Sequence, residues 1–161
     1  AAVASSLDVS FSEGLVRLAD EDVVDAIRAE EISAGASQVA SLPAVRSALL
    51  FRQRAFARAP GLVADGRDMA SVVFPEAALK VFLTASAEVR AERRYKQLQA
   101  SGIAADRHRI VSDLQERDAR DSQRSVAPLC QVEGARSLDT SDCSIDQAVD
   151  QVLSWYQAGK A

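Results

Sequence analysis

The segment that most constrains this chain is Gly61-Leu-Val-Ala-Asp65-Gly66-Arg67-Asp68-Met-Ala-Ser-Val-Val-Phe-Pro75. Leu62 to Ala64 read as a short buried strand. The strand breaks at a glycine turn where two carboxylates bracket a guanidinium. In an open α/β sheet the crevice beyond the carboxyl ends of the strands is where ligands bind. Charged side chains released at that point are seldom needed for packing. The competing reading is a structural turn closed by its own Asp–Arg pairing.

Around this segment the sequence alternates strand and helix signals, which implies an α/β architecture with a parallel sheet. Leu7, Val9 and Phe11 alternate with polar residues, and Gly14 leads into Leu15-Val-Arg-Leu18, a hairpin pattern. Asp20 to Ala29 is predicted as a short helix with acids near its start. Ser33 to Ala40 is also predicted helical. Pro43 suits the first turn of a further helix running to about Arg58, stopped by Pro60-Gly61. Leu79 to Leu83 is a second buried strand, with a loop or brief helical turn at Val72 to Pro75. Ser86 can cap a helix starting near Ala87, and Gly102 ends or bends it. A long helix follows over Asp106 to Ser122, then a short strand at Arg136 to Asp139. Ser144 and Gln147 fit a capping box. Ile145, Ala148, Val149, Val152, Leu153 and Tyr156 fall at helical spacing, so the last helix is expected to pack one face on the sheet.

Charge bounds the partners. The 161 residues carry a net charge of -4 with 26% charged residues, and the acids are interleaved with the arginines. A general nucleic-acid binder usually shows a basic excess. No apolar run reaches the roughly 18 residues of a membrane span, and the N-terminal Ala-Ala-Val-Ala is no signal peptide. The two cysteines, Cys130 and Cys143, make no disulfide framework, which points to a reduced, cytoplasmic compartment. Monomer is the default.

The candidate chemistry lies in three clusters. Arg117, Asp121 and Arg124 are spaced by four and three, so they share a helix face if the helix continues that far. Guanidiniums give planar, bidentate donors suited to phosphoryl oxygens. The aspartate between them can hold their orientation or accept from a sugar hydroxyl. The bland alternative is a solvated, salt-bridged face. Arg90, Arg93 and Arg94 form a second cluster on the preceding helix; with a flexible loop at Gly102 they suit either a lid or a solvated helix. In the glycine turn, Asp65 can face a magnesium shell through water, and Arg67 can reach an acceptor phosphate. Asp68 can accept from the exocyclic amino group of cytosine, where uracil presents another acceptor. Ser37 and Arg46, taken singly, read as ordinary surface residues, and the lone His108 as exposed.

Together Ala36-Ser-Gln-Val-Ala, Arg52-Gln-Arg-Ala-Phe56, Leu62 to Met69, Val72-Val-Phe-Pro75, and Glu116-Arg-Asp118 running to Arg124-Ser-Val-Ala-Pro-Leu129 resemble the bacterial cytidylate kinase family, over essentially the whole chain. The resemblance implies a P-loop, nucleoside-monophosphate-kinase-like parallel sheet flanked by helices and incomplete at its N-terminus, with a small monophosphate-binding insert and a helical lid. Residues 1–40 then belong to the insert, 41–87 to the core, 88–122 to the lid region and 123–161 to the core. The implied reaction carries the γ-phosphoryl group of ATP to CMP or dCMP with Mg²⁺. Ser37, Arg46, Asp68 and Arg124 are expected around the cytosine ring and Arg67 on the CMP phosphate. Arg117 and Asp121 are expected near the ribose, Arg117 and Arg124 also near the transferring phosphoryl groups, and Arg93 near ATP. The sequence has no G-x-x-x-x-G-K-[ST] loop and no Ser-Gly-x-x-Tyr-Arg segment. The family places both ahead of the stretches matched here, so the expectation is a chain without its N-terminal portion and inactive alone. A non-catalytic nucleotide-binding or scaffolding fragment is the alternative.

Overall fold

The computed structural model describes residues 1–12 and 14–159. They group into two units, one formed by Ala1–Asp65 with Arg124–Val126, the other by Gly66–Gln123 with the residues from Ala127 onward.

The first unit opens with a single helical turn, α1 (Ala2–Ser5), followed by a three-stranded antiparallel sheet: β1 (Val9–Ser12), β2 (Leu15–Leu18) and β3 (Glu21–Asp22). The expected hairpin is present, with Val9 opposite Leu18 and Ser12 opposite Leu15. Gly14 takes a φ of +80°, which a residue without Cβ adopts freely; residue 13 lies outside the described residues. The helix expected over Asp20 to Ala29 does not form. Ala19 and Asp20 both adopt positive φ, 48° and 65°, the two-residue turn that matches strand twist. The chain therefore folds back, and Arg17 pairs with Asp22. The Asp22 carboxylate then accepts from the Val24 N–H at 3.0 Å, a local bond that competes with helix formation. Helical character survives only as a short 3₁₀ turn, Ala26–Arg28.

Two helices complete this unit, α2 (Glu30–Val39) and α3 (Pro43–Ala55), the latter with proline in its first turn as expected and ending short of Arg58. Two contacts tie α3 to β1. Arg52 donates from Nη2 to the Val9 carbonyl at 2.9 Å, and Phe56 meets Phe11 edge-to-face with ring centroids 5.3 Å apart. Leu62–Ala64, expected as a buried strand, pairs with no strand among the described residues, and Val63 is 99% exposed. A strand requires a neighbouring ladder to satisfy its amides and carbonyls, and three apolar residues alone do not supply one.

In the second unit, Met69–Val73 forms a π-helical turn, followed by β4 (Val81–Thr84), α4 (Ala87–Ala100), α5 (Arg107–Gln123), β5 (Arg136–Asp139) and α6 (Ile145–Ala158). β4 and β5 pair in parallel, Val81 opposite Arg136 through Thr84 opposite Asp139. The expected parallel sheet is thus present as one strand pair. Both predicted helix caps form. The Ser86 hydroxyl accepts from the Val89 N–H, and Ser144 with Gln147 makes a reciprocal capping box. Gly102 sits at φ +71° just beyond α4, where a helix commonly ends in left-handed backbone. Val73, Ala91 and Leu138 are buried.

The last helix differs from expectation in its rotation. Ala148, Val152 and Trp155 are half-buried, whereas Ile145, at 83% exposure, and Val149, Leu153 and Tyr156 face solvent. The apolar arc on α6 is wider than a single contact stripe. Trp155 carries the Arg136 guanidinium 5.4 Å from its ring centroid, an attraction between cation and π-face that favours turning Trp155 inward. No described helix is long and apolar enough to cross a membrane.

Candidate functional site

The glycine turn and α5 meet in the second unit. Gly66 is closely approached: a Cβ there would lie 3.1 Å from Met69 Cγ, so the methionine side chain would have to give way. The Met69 side chain folds back over the turn, and the chain tightens into the π-helical turn. The Asp68 carbonyl accepts from the N–H groups of Val72 at 2.9 Å and Val73 at 3.2 Å. Asp68 is buried and Arg67 is directed outward, 41% exposed.

Arg67 meets α5 at Asp121. Its Nε donates to Asp121 Oδ2 at 2.5 Å. The Nε of Arg117, one turn earlier on α5, lies 3.8 Å from the same oxygen. Asp121 itself is only 2% exposed. A carboxylate removed from water to that degree requires cations or donors around it, and two guanidiniums provide them. The main chain at this point is also bonded, since the Asp121 carbonyl accepts from the Leu129 N–H at 2.8 Å. Chemically, the arrangement is a buried acid holding two forked cations beside a glycine turn. Forked cations of this kind suit phosphoryl oxygens, which take paired N–H donors.

The remaining sequence-derived residues are distributed between the units. Ser37 on α2 is buried, and Arg46 on α3 donates from Nη1 to the Ala40 carbonyl at 3.1 Å; both belong to the first unit. Asp65 is exposed and belongs to the same unit. The shared helix face expected for Arg117, Asp121 and Arg124 holds for the first two. α5 ends at Gln123, and Arg124 falls just beyond it, in the stretch 124–126 grouped with the first unit. Arg93 bonds to the end of β5, donating from Nη1 to Thr140 Oγ1 at 3.1 Å and from Nη2 to the Thr140 carbonyl at 2.5 Å. Thr140 is buried, and its hydroxyl donates to the Thr84 carbonyl at 3.0 Å.

Two features escaped the sequence reading. Arg90 forms a forked pair with Asp118, where only a basic cluster was visible. The signal was the spacing of Asp118 and Asp121 by three, which puts both carboxylates on one side of α5. The second is an open cavity of about 500 Å³, lined among others by Leu138, Cys143, Gln147 and Ser154. It contains none of the candidate nucleotide-binding residues. Among the described residues no group of three or more His, Cys, Asp or Glu side chains could hold a metal ion.

Helices beside a short parallel sheet, together with a phosphate-suited arginine pair at a glycine turn, fit an α/β fold of the nucleoside-monophosphate-kinase kind. Comparison with known proteins narrows that class. A family model described as Cytidylate kinase matches residues 1–158. A cytidylate kinase of Polynucleobacter asymbioticus is 60% identical over 153 residues, 95% of this chain and 70% of that protein. One of Chromobacterium violaceum is 58% identical over 161 residues, 100% of this chain and 72% of that protein. One of Burkholderia ambifaria is 57% identical over 152 residues, 94% of this chain and 67% of that protein. The chain belongs to the cytidylate kinase family.

Proposed function

We propose that this protein serves the transfer of the γ-phosphoryl group of ATP to CMP or dCMP, giving CDP or dCDP. The observation that carries this reading is the Arg67–Asp121–Arg117 cluster beside the buried Asp68. Phosphoryl transfer asks little covalent chemistry of a protein and much positioning and charge stabilisation. Forked guanidiniums supply both.

In this reading Arg67 receives the phosphate of the monophosphate. Ser37, Arg46, Asp68 and Arg124 surround the cytosine ring. Asp68 accepts from the exocyclic amino group, and uracil, with an acceptor there, is disfavoured. Arg117 and Asp121 lie by the ribose, where a carboxylate accepts from hydroxyls. Arg117 and Arg124 also bear on the transferring group, and Arg93 serves ATP. Residues 1–40 act as part of the monophosphate-binding insert and 88–122 as a lid. Mg²⁺ fits the donor set as a cation held mainly by nucleotide oxygens and water, with Asp65 contributing through a water. It usually takes only one or two carboxylates. When bound, it neutralises charge on the phosphate oxygens. The protein works as a cytoplasmic monomer on free nucleotides.

Calorimetric titration of the chain with CMP and with UMP tests the pyrimidine assignment. CMP binding tighter than UMP is the expected result, and Asp68→Asn is expected to narrow the difference, because an amide both donates and accepts. UMP binding as tightly as CMP to the unaltered chain overturns the reading. Turnover is read separately as ADP release with ATP and Mg²⁺.

A further inference from the structure

Arg90 stands in the first turn of α4 and uses three of its donors at once. Nε reaches the Ala85 carbonyl, just past the end of β4, at 3.1 Å. Nη1 and Nη2 grip Asp118 on α5, at 3.1 Å to Oδ1 and 2.5 Å to Oδ2. Both carboxylate oxygens are therefore taken by one planar fork, which fixes angle as well as distance. The ion pairs Arg107–Glu92, Lys96–Glu92, Arg109–Asp113 and Arg117–Asp121 on these two helices are longer, at 3.2 to 3.9 Å.

Asp118 lies between the two residues that matter most on α5. Arg117 precedes it, and Asp121 follows three positions later on the same side. Fixing Asp118 against the end of β4 fixes the height and rotation of the turn that presents Asp121 to Arg67. The Arg90 and Asp118 side chains both remain about one-third exposed. Such pairs contribute little to stability, so their geometric effect outweighs their energetic one. Ala91, the next residue on α4, is fully buried.

We infer that Arg90 and Asp118 are positioning residues: they clamp the base of the α4–α5 pair so that Asp121 and Arg117 stand where Arg67 and a nucleotide phosphate meet them. The nucleotide part of this inference rests on the function proposed above; the clamp itself does not.

Two measurements separate them. The first needs no nucleotide. Arg67→Ala is introduced alone and in an Asp118→Asn background, and urea midpoints are compared. A positioning role predicts that the shift caused by Arg67→Ala shrinks toward zero once Asp118 is altered, because the Arg67–Asp121 contact is already lost. Full additivity of the two substitutions would falsify the clamp. The second is CMP affinity by calorimetry. Asp118→Asn is expected to weaken it roughly tenfold or more, the scale on which small misplacements act. Arg90→Lys, which keeps the charge but loses the fork, is expected to resemble Asp118→Asn and not the unaltered chain, and it serves in both measurements if Asp118→Asn fails to fold. Unchanged affinity in a chain that binds CMP overturns the positioning role. Failure of the unaltered chain to bind CMP overturns the functional reading, and the urea measurement then decides the clamp.

Discussion

Asp121 shows how one side chain organises its neighbours. Its carboxylate is almost out of reach of water and shares one oxygen between two arginines. Removing it takes an acceptor from Arg67 and a nearby anion from Arg117. Asp121→Ala is expected to lower the unfolding free energy by about 2 kcal/mol, the range for hydrogen bonds to charged groups. The half-exposed Arg67 recovers water and keeps the cost below that of a fully buried pair. Urea unfolding checks it, and an unchanged midpoint would place the carboxylate outside the stabilising network. Asp139 is the opposite case, an exposed carboxylate held below the usual carboxylate range. The Ser141 hydroxyl is the main cause and the Ser141 backbone N–H the second. A folded-state pKa below the unfolded one stabilises above the unfolded value and is lost as pH falls through the folded one. Ser141→Ala is therefore expected to return the Asp139 titration toward the ordinary carboxylate range and to soften the acid side of the stability curve, as read by carboxyl-carbon NMR during an acid titration. At this scale the sequence singled out Asp65 to Asp68 and Arg117 to Asp121 by charge beside a glycine and by helical spacing, and the structure brings Arg67 and Arg117 to Asp121. The helix expected over Asp106 to Ser122 ends within a residue of α5, at Gln123, which leaves Arg124 just beyond it.

Elements with a local signature were among those read correctly. Ser86 and Ser144 cap α4 and α6 as their positions imply, and Pro43 opens α3. A capping side chain bonds the amides of its own first turn, so its effect is written within four residues. Ser144→Ala is accordingly expected to cost about 1 kcal/mol of stability, while Ser144→Asp retains most of it. Thermal unfolding followed by circular dichroism separates the two; equal losses in both would mean the box is not formed in solution. Among elements that depend on remote partners, β4 and β5 were read as strands, while others were misread. Glu21 and Asp22 became a strand because β2 offers a ladder, and Leu62–Ala64 did not because none is offered among the described residues. The rotation of α6 belongs to the same class. Its apolar positions cover more than one contact stripe, and the Arg136–Trp155 contact chooses the inner one, a choice made by a residue on β5 and invisible in the helix's own periodicity.

Across the whole chain, burial is distributed unevenly between the two units, and that unevenness has a measurable consequence. Val73, Ala85, Ala91 and Leu138, the buried apolar residues described, all belong to the second unit, as do the buried Asp68, Asp121 and Thr140. In the first unit Ser37 is the buried residue described, and Phe11, Leu15, Leu18 and Phe51 remain exposed. Local opening is governed by how much apolar contact must be broken to expose an amide. The amides of the β1–β3 sheet have backbone partners but a thinly covered apolar face. Those of β4, β5 and the α4–α5 pair are backed by buried side chains and by the Arg90–Asp118 and Arg93–Thr140 bonds. Native-state hydrogen exchange is therefore expected to show the slowest amides in the second unit, on β4, β5 and the facing turns of α4 and α5, and the fastest ordered amides on β1 to β3. Adding CMP is expected to slow exchange most around Arg67, Asp68 and the Arg117–Asp121 turn, since a ligand that holds those groups suppresses their local opening. Uniform protection across both units would show that apolar burial does not set the order of opening here. Protection by CMP confined to β1–β3 would separate nucleotide binding from the arginine cluster altogether.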